Sequence, residues 1–271
     1  MNESKPMASN SENSIPSRLE AQSARWRRPL GMALGVLCIV YGWAVVSAPI
    51  DSSQGVIQKI LYIHPPLAYG AYLGFIITGF AGVVFLVRGR EDLDRLAIAS
   101  AEVGVIFCTL MLVTGPIWAR GTWGVWWSWD ARLTVTLLLW FVYLAYLLLR
   151  SFSGRNPRTA RFAAVYGVVG LVLIPLNYYV IEIFGSRSMH PENLERGSLG
   201  DGMGLPFLLG NLTLALAFFY LVLLRWQVES ERALDDAIDT DGAHREGQAM
   251  RRGQSPGPPD AAEESPEEMT R

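Results

Sequence analysis

Six long apolar runs constrain this chain more than any other feature of its sequence. They are Leu30–Ala48, Leu67–Val87, Leu96–Ile117, Leu133–Leu149, Phe162–Ile181 and Leu205–Leu224. Each approaches the roughly 20 helical residues that cross a hydrocarbon layer of about 30 Å. A backbone in lipid must satisfy its own hydrogen bonds, so the runs predict helices. The first run is longer than the roughly 7–15 apolar residues of a signal peptide, which predicts a retained helix. The predicted fold is all-α: a polytopic membrane protein with six transmembrane helices.

The basic residues predict the orientation of these helices. With both termini on the cytoplasmic side, 18 Lys and Arg residues lie inside and five lie outside. Cytoplasmic segments of membrane proteins carry such an excess, so the sequence predicts an N-in/C-in topology. The outer segments are then about 49–66, 118–132 and 182–204.

Composition divides the chain into three parts. Residues 1–29 form a predicted cytoplasmic N-terminal extension, and residues 30–225 form the membrane domain. Residues 226–271 are rich in Asp, Glu, Gly and Pro. Such a segment buries too little apolar surface to offset the entropy of ordering. We therefore expect an acidic cytoplasmic tail that is mostly disordered after a short helical extension.

Tryptophan is concentrated in one predicted outer segment. Residues 123–134 read WGVWWSWDARLT, and five of the nine tryptophans lie in or just before this stretch: Trp118, Trp123, Trp126, Trp127 and Trp129. Each indole offers a large flat apolar face and one N–H donor. The cluster predicts a slot for a flat, largely apolar ligand. An aromatic belt is the alternative, but a belt places its rings at both interfaces, and the other ends of these spans have almost no tryptophan.

Two of the three histidines lie in the other two outer segments. His64 precedes Pro65 and His190 precedes Pro191, whereas His244 lies in the tail, where we expect no role. A following proline disfavours the α conformation, and proline suits the first turn of a helix. Each histidine is therefore predicted to have an extended backbone just ahead of a helix. Its imidazole is predicted to lie on the same membrane face as the tryptophans.

This combination favours haem as the ligand. Imidazole binds iron, copper and zinc, and two imidazoles on opposite faces of a porphyrin form a familiar haem site. His64 and His190 are the predicted axial ligands. The guanidinium groups of Arg120, Arg132 or Arg187 are candidates to pair with the propionates.

Other site classes find little support in the sequence. The two cysteines, Cys38 and Cys108, form no C-x-x-C pair, which argues against a covalent c-type haem site, and both are expected to be buried small apolar residues. No nucleotide-binding loop or nucleophile elbow is present, and nothing indicates nucleic acid.

Three further polar residues allow more than one interpretation. Asp130 either caps the fourth helix or contacts the haem. Glu102 either snorkels towards water or pairs with a neighbouring helix or a partner subunit. Asn177, at membrane depth, is expected to hydrogen-bond across helices.

The stretch from Trp123 to Thr134 resembles the tryptophan-rich "WWD" signature of the haem-handling membrane proteins of cytochrome c biogenesis. The resemblance extends over Leu30–Arg225. This part of the chain is similar in layout to the cytochrome c maturation protein C family, also called haem exporter protein C: it has six spans, the signature before the fourth span, and one histidine in each flanking outer loop. The resemblance implies that His64 and His190 are the axial ligands of haem b. It also implies a haem platform of Trp123, Trp126, Trp127, Trp129 and Asp130, and Trp118, just before this stretch, is a further predicted residue of the haem pocket.

The same resemblance implies a non-enzymatic protein of a bacterial-type inner membrane, with its functional loops on the periplasmic side. Such a protein presents haem to a periplasmic haem chaperone, in complex with an ATP-driven transporter and a small single-span subunit. Two alternatives remain: a haem-containing electron-transfer protein, and a solute transporter with an aromatic belt. Electron-transfer proteins usually place ligands within the spans, and transporters usually have polar, broken helices near the midplane.

Overall fold

The structure, a computed structural model, describes residues 15–152, 156–184, 190–191, 194, 197 and 199–253. Its helices are α1 (Ile15–Ser47), a short 3₁₀ helix (Val56–Tyr62), α2 (His64–Arg88), α3 (Glu91–Trp123), α4 (Ala131–Phe152), α5 (Pro157–Phe184) and α6 (Gly204–Gly253). Six helices are long and apolar enough to cross a membrane, and the described residues contain no strand. The predicted all-α fold with six membrane-spanning helices is therefore confirmed.

The first and last helices extend beyond their apolar runs. Helix α1 begins at Ile15, well before Leu30, and α6 continues to Gly253. The chain divides into two units, Met1–Ser230 and Glu231–Arg271, and the described part of the second unit is helical. This helix is longer than the short extension expected, because its sequence is rich in Ala, Glu and Arg, which favour helix formation. Residues 254–271 lie outside the described part of the chain.

Glycines bring α2 into backbone contact with its neighbours. A Cβ atom added at Gly74 would lie 2.8 Å from the Gly104 Cα and 2.8 Å from the Ser100 carbonyl oxygen of α3. On the other side of α2, a Cβ at Gly79 would lie 3.0 Å from the Gly167 carbonyl oxygen of α5. Small residues allow such close approach, and dispersion contacts and hydrogen bonds then hold the helices together in lipid.

Asn177 connects three helices at membrane depth. Its side chain is fully buried, and its Nδ2 donates to the Tyr72 hydroxyl of α2 at 2.9 Å and to Thr136 Oγ1 of α4 at 3.0 Å. The prediction that Asn177 bonds across helices is confirmed. The network adjoins a cavity at one end of the bundle, because Tyr72 and Thr136 also line that cavity.

Charged pairs connect the helices at the predicted cytoplasmic end. Arg225 of α6 pairs with Glu102 of α3, with Nη2 2.8 Å from Oε1, and also pairs with Glu229 at 2.8 Å. Of the alternatives for Glu102, pairing with a neighbouring helix is the one observed. Arg150 of α4 pairs with Asp94 of α3 at 2.6 Å.

The two cysteines differ in environment. Cys108 is buried, as expected, but Cys38 is exposed. Helix α1 carries Cys38 on a largely uncovered apolar surface that includes Ile39, Trp43 and Val46. The expectation of burial was wrong for Cys38 because apolar runs do not reveal which face of a spanning helix meets lipid rather than protein.

Candidate functional site

The tryptophan stretch begins at the end of helix α3 and continues as a loop that leads to the start of α4. Helix α3 continues through Trp123 and stops at Gly124, whose φ of +77° is the left-handed conformation that glycine adopts at helix ends. At the other end of the loop, the Leu133 N–H donates to Asp130 Oδ1 at 2.9 Å, and Asp130 is buried. Asp130 is therefore the N-cap of α4, as one of the two interpretations predicted.

The two His-Pro pairs have different backbone settings. Helix α2 begins at His64 itself, with proline in its first turn, where the missing N–H costs nothing. The proline prediction is confirmed there, but the extended backbone predicted for His64 is wrong, because the Leu67 N–H bonds to the Ile63 carbonyl at 3.0 Å and draws His64 into the helix. Pro191 itself is not helical, residues 192–193 lie outside the described part of the chain, and the next helix that the structure describes begins at Gly204.

A cavity of about 260 Å³ opens at this end of the bundle. It is lined by Gln54; His64, Pro65, Ala68, Tyr69 and Tyr72 of α2; Met111, Leu112, Gly115, Pro116, Trp118, Ala119, Thr122 and Trp123 of α3; Trp127; Arg132, Leu133 and Thr136 of α4; Tyr178 of α5; and His190, Pro191 and Leu194. The α2 contributors repeat every three or four residues, which places them on one helix face. An apolar and aromatic wall with a few polar groups is typical of a small-molecule site.

The cavity contains about half of the predicted site residues. His64, His190, Trp118, Trp123, Trp127 and Arg132 all line it. Of the other predicted residues that the structure describes, Trp126 and Trp129 are 60% and 76% exposed and do not line it, and neither does Asp130, which caps α4. The Arg120 guanidinium donates to the Gly124 carbonyl oxygen, and neither residue lines the cavity. Arg187 lies outside the described residues.

His64 is held by side chains of α3. Its Nδ1 lies 3.0 Å from Thr114 Oγ1, and its ring packs edge-on against Trp118, with ring centroids 5.9 Å apart and planes at 75°. The Trp118 indole is fixed in turn, because its N–H donates to Gln54 Oε1 at 2.8 Å. These contacts give the imidazole a defined position in the cavity wall.

His190 is held by its own backbone and lies beside Arg132. Its Nδ1 lies 2.8 Å from the Pro191 carbonyl oxygen and 3.4 Å from Arg132 Nη1. A carbonyl only accepts, so the shorter contact makes Nδ1 the donor and leaves a lone pair on Nε2. Burial lowers the pKa of His190; the Pro191 carbonyl opposes this shift and the Arg132 charge adds to it. A lowered pKa favours the neutral form of the ring, which is the form that binds metals.

Two cavity-lining donors lack partners. Trp127 Nε1 and Thr122 Oγ1 are buried without a hydrogen-bond partner. Leaving such groups unsatisfied costs about 1–3 kcal/mol each, which favours a ligand that supplies acceptors. The described residues contain no group of three or more His, Cys, Asp or Glu side chains that could hold a bare metal ion. Two imidazoles, a guanidinium and two unsatisfied polar groups fit a metal porphyrin that carries carboxylates.

Some residues of the site were not identified from the sequence. Tyr69, Tyr72 and Tyr178 line the cavity, Gln54 orients Trp118, and Thr114 contacts His64. Tyr72 could have been found, since it follows His64 by eight residues, or about two helical turns. No sequence signal connects Thr114 to a histidine 50 positions earlier.

Comparison with known proteins relates the sequence of this chain to a family. The sequence model of a family described as "Heme exporter protein C" matches residues 11–237. Proteins of that name from Haemophilus influenzae and Escherichia coli K12 are 33% and 32% identical over 201 and 215 residues, which cover 73% and 74% of this chain and 81% and 85% of theirs. A mitochondrial protein of Marchantia polymorpha whose name links it to cytochrome c biosynthesis is 28% identical over 187 residues, or 69% of this chain and 78% of its own.

Proposed function

Because this chain belongs to the Heme exporter protein C family, we propose that the cavity at the end of its helix bundle binds haem for delivery to c-type cytochromes. The observation that carries the proposal is that His64 and His190, 126 positions apart in sequence, line one cavity together. An iron porphyrin leaves two axial positions open, and two imidazoles can fill them. With no C-x-x-C pair in the chain, the haem is held non-covalently, as haem b.

The proposal gives the remaining cavity residues distinct tasks. Trp118, Trp123 and Trp127 supply flat apolar surface for the porphyrin ring, since all three line the cavity. Arg132 is the proposed propionate partner, because it lines the cavity whereas Arg120 does not. The unpartnered Trp127 N–H is a second donor for a propionate.

The exposed tryptophans suit a different task from those in the wall. Trp129 packs edge-on against Trp127, with centroids 5.7 Å apart, so it adjoins the cavity while remaining largely exposed. Exposed aromatic side chains often anchor protein interfaces. We place the contact with a periplasmic haem chaperone at Trp126 and Trp129.

The proposed setting follows from charge and family. With both termini in the cytoplasm, the cavity opens at the periplasmic side of an inner membrane. The protein then acts beside an ATP-driven transporter and a small single-span subunit. Its role is binding and handover of haem, in which no covalent bond is made or broken, so we do not assign it an enzymatic activity.

The absorbance spectrum of the purified full-length protein tests this function. We expect wild-type protein to co-purify with haem or to take it up, and His64→Ala, His190→Ala and the double variant to lose most of the bound haem. His244→Ala, in the exposed tail, is the matched control and should load normally. Full haem loading of the double variant would overturn the proposal.

A further inference from the structure

The Thr114 hydroxyl has its proton committed to its own helix. Its Oγ1 donates to the Leu110 carbonyl oxygen at 2.9 Å, and the Met111 carbonyl lies 3.2 Å away. A threonine hydroxyl has one hydrogen, so towards any other partner this oxygen acts as an acceptor. The partner is His64 Nδ1 at 3.0 Å. With the hydroxyl proton directed to a helix carbonyl, which can only accept, the imidazole supplies the proton of the His64–Thr114 hydrogen bond.

We propose that Thr114 is a positioning residue that fixes His64 as the Nδ1–H tautomer, so that Nε2 is the nitrogen available to a haem iron. This inference rests on the proposed function of the cavity. A neutral imidazole has one protonated and one unprotonated nitrogen, and the hydrogen bond at one nitrogen decides which is left for a metal. Loss of the Thr114 acceptor removes one of the contacts that favour a proton on Nδ1, and a proton on Nε2 would block ligation.

The turn of α3 that carries Thr114 also restricts rotation of the ring. A Cβ added at Gly115 would lie 3.1 Å from His64 Cε1, so the absence of a side chain there makes room for the imidazole. Trp118, one turn after Thr114, packs against the ring edge-on. One turn of α3 thus supplies the hydrogen-bond acceptor, the space and the aromatic contact for His64, which belongs to α2.

Removing a hydrogen-bond partner of a metal-binding histidine typically weakens metal binding about 10–100-fold. We therefore expect Thr114→Val, which keeps the shape and loses the acceptor, to weaken haem binding by about that factor in an absorbance titration of the full-length protein. Thr114→Ser keeps the hydroxyl and should restore most of the affinity. The midpoint potential of the bound haem should shift in the valine variant, because the hydrogen bond at Nδ1 sets how strongly the imidazole donates to iron.

Thr109 offers a matched control on the same helix. Its hydroxyl also donates within α3, to the Val105 carbonyl at 2.7 Å, and accepts from a ring N–H, that of Trp140, at 2.9 Å. Thr109→Val removes the same chemical groups without touching His64, so it should leave haem affinity and midpoint potential unchanged. Equal affinities for wild type and Thr114→Val, or equal losses in Thr114→Val and Thr114→Ser, would overturn the inference.

A second measurement does not depend on the folding of a Thr114 variant. The chain has only three histidines, so the imidazole nitrogens of the ¹⁵N-histidine-labelled, haem-free protein can be assigned by comparison with His64→Ala. We expect nuclear magnetic resonance to show a protonated Nδ1 and an unprotonated Nε2 for His64. The opposite tautomer would overturn the role of Thr114, whereas normal haem loading of His64→Ala would overturn the function of the cavity, so the two failures are distinguishable.

Discussion

Each cavity histidine has an oxygen atom beside its Nδ1, but the two oxygens differ in origin. For His64 it is a side-chain hydroxyl from a neighbouring helix, and for His190 it is the carbonyl of the next residue, Pro191. Both arrangements leave Nε2 available for a ligand. The His64 arrangement depends on tertiary structure, whereas the His190 arrangement forms within one dipeptide.

Asp130 is the residue whose two interpretations can be separated by mutation. We expect Asp130→Ala to destabilise the protein by about 1 kcal/mol, because it removes the acceptor for the Leu133 N–H at the start of α4. Thermal unfolding of the haem-free protein in detergent measures this loss. Asp130→Asn retains an oxygen acceptor and should be nearly as stable as wild type. A large loss of haem binding with no loss of stability would instead favour direct contact with the ligand.

At the scale of helices, the contact between α2 and α3 determines the geometry of the His64 site. Gly74 lies against Gly104 and Ser100 about three turns below the His64–Thr114 contact. A wider spacing between these helices would separate the imidazole from its acceptor. The packing of the membrane interior and the chemistry of the cavity are therefore connected through α2.

We expect Gly74→Ala to lower the free energy of unfolding by about 1–3 kcal/mol, the usual cost of overpacking, because the added methyl meets backbone atoms that cannot move aside easily. Gly35→Ala in α1 is the matched control, since nothing lies within 4 Å of its added Cβ. The control should be unchanged or slightly more stable, because alanine favours helix. Thermal unfolding and haem titration of both variants check the prediction, which is contradicted if they behave alike.

For the whole molecule, the orientation predicted from 18 inside and five outside basic residues can be measured directly. In a background with Cys38 and Cys108 replaced by alanine, we expect a membrane-impermeant maleimide to label Ser52→Cys from the periplasm. The same reagent should reach Gly242→Cys only after the membrane is opened. Both positions are exposed, so burial does not explain a difference between them. The reverse pattern would place the cavity on the cytoplasmic side and contradict the proposed delivery of haem.

The sequence by itself determined the helices and their number, and it contained the tryptophan and histidine patterns whose members line the cavity. Apolar runs long enough to span lipid force helix formation locally, because an unpaired backbone is too costly there. The dense tryptophan stretch and the two His-Pro pairs are likewise recognisable from the sequence alone. Even Asn177, read as a cross-helix hydrogen-bonding residue, needed only its polarity and its depth.

Only the tertiary structure decided which members of those patterns share a cavity. The end of α3 at Gly124 places Trp118 and Trp123 on a helix face and Trp126 in a loop, so neighbours in sequence diverge in space. The rotations of α2 and α3 about their axes bring Thr114 into contact with His64, and no local sequence preference predicts that contact. Contacts between distant segments depend on helix ends, helix rotation and packing distance together, and these are properties of the assembled bundle.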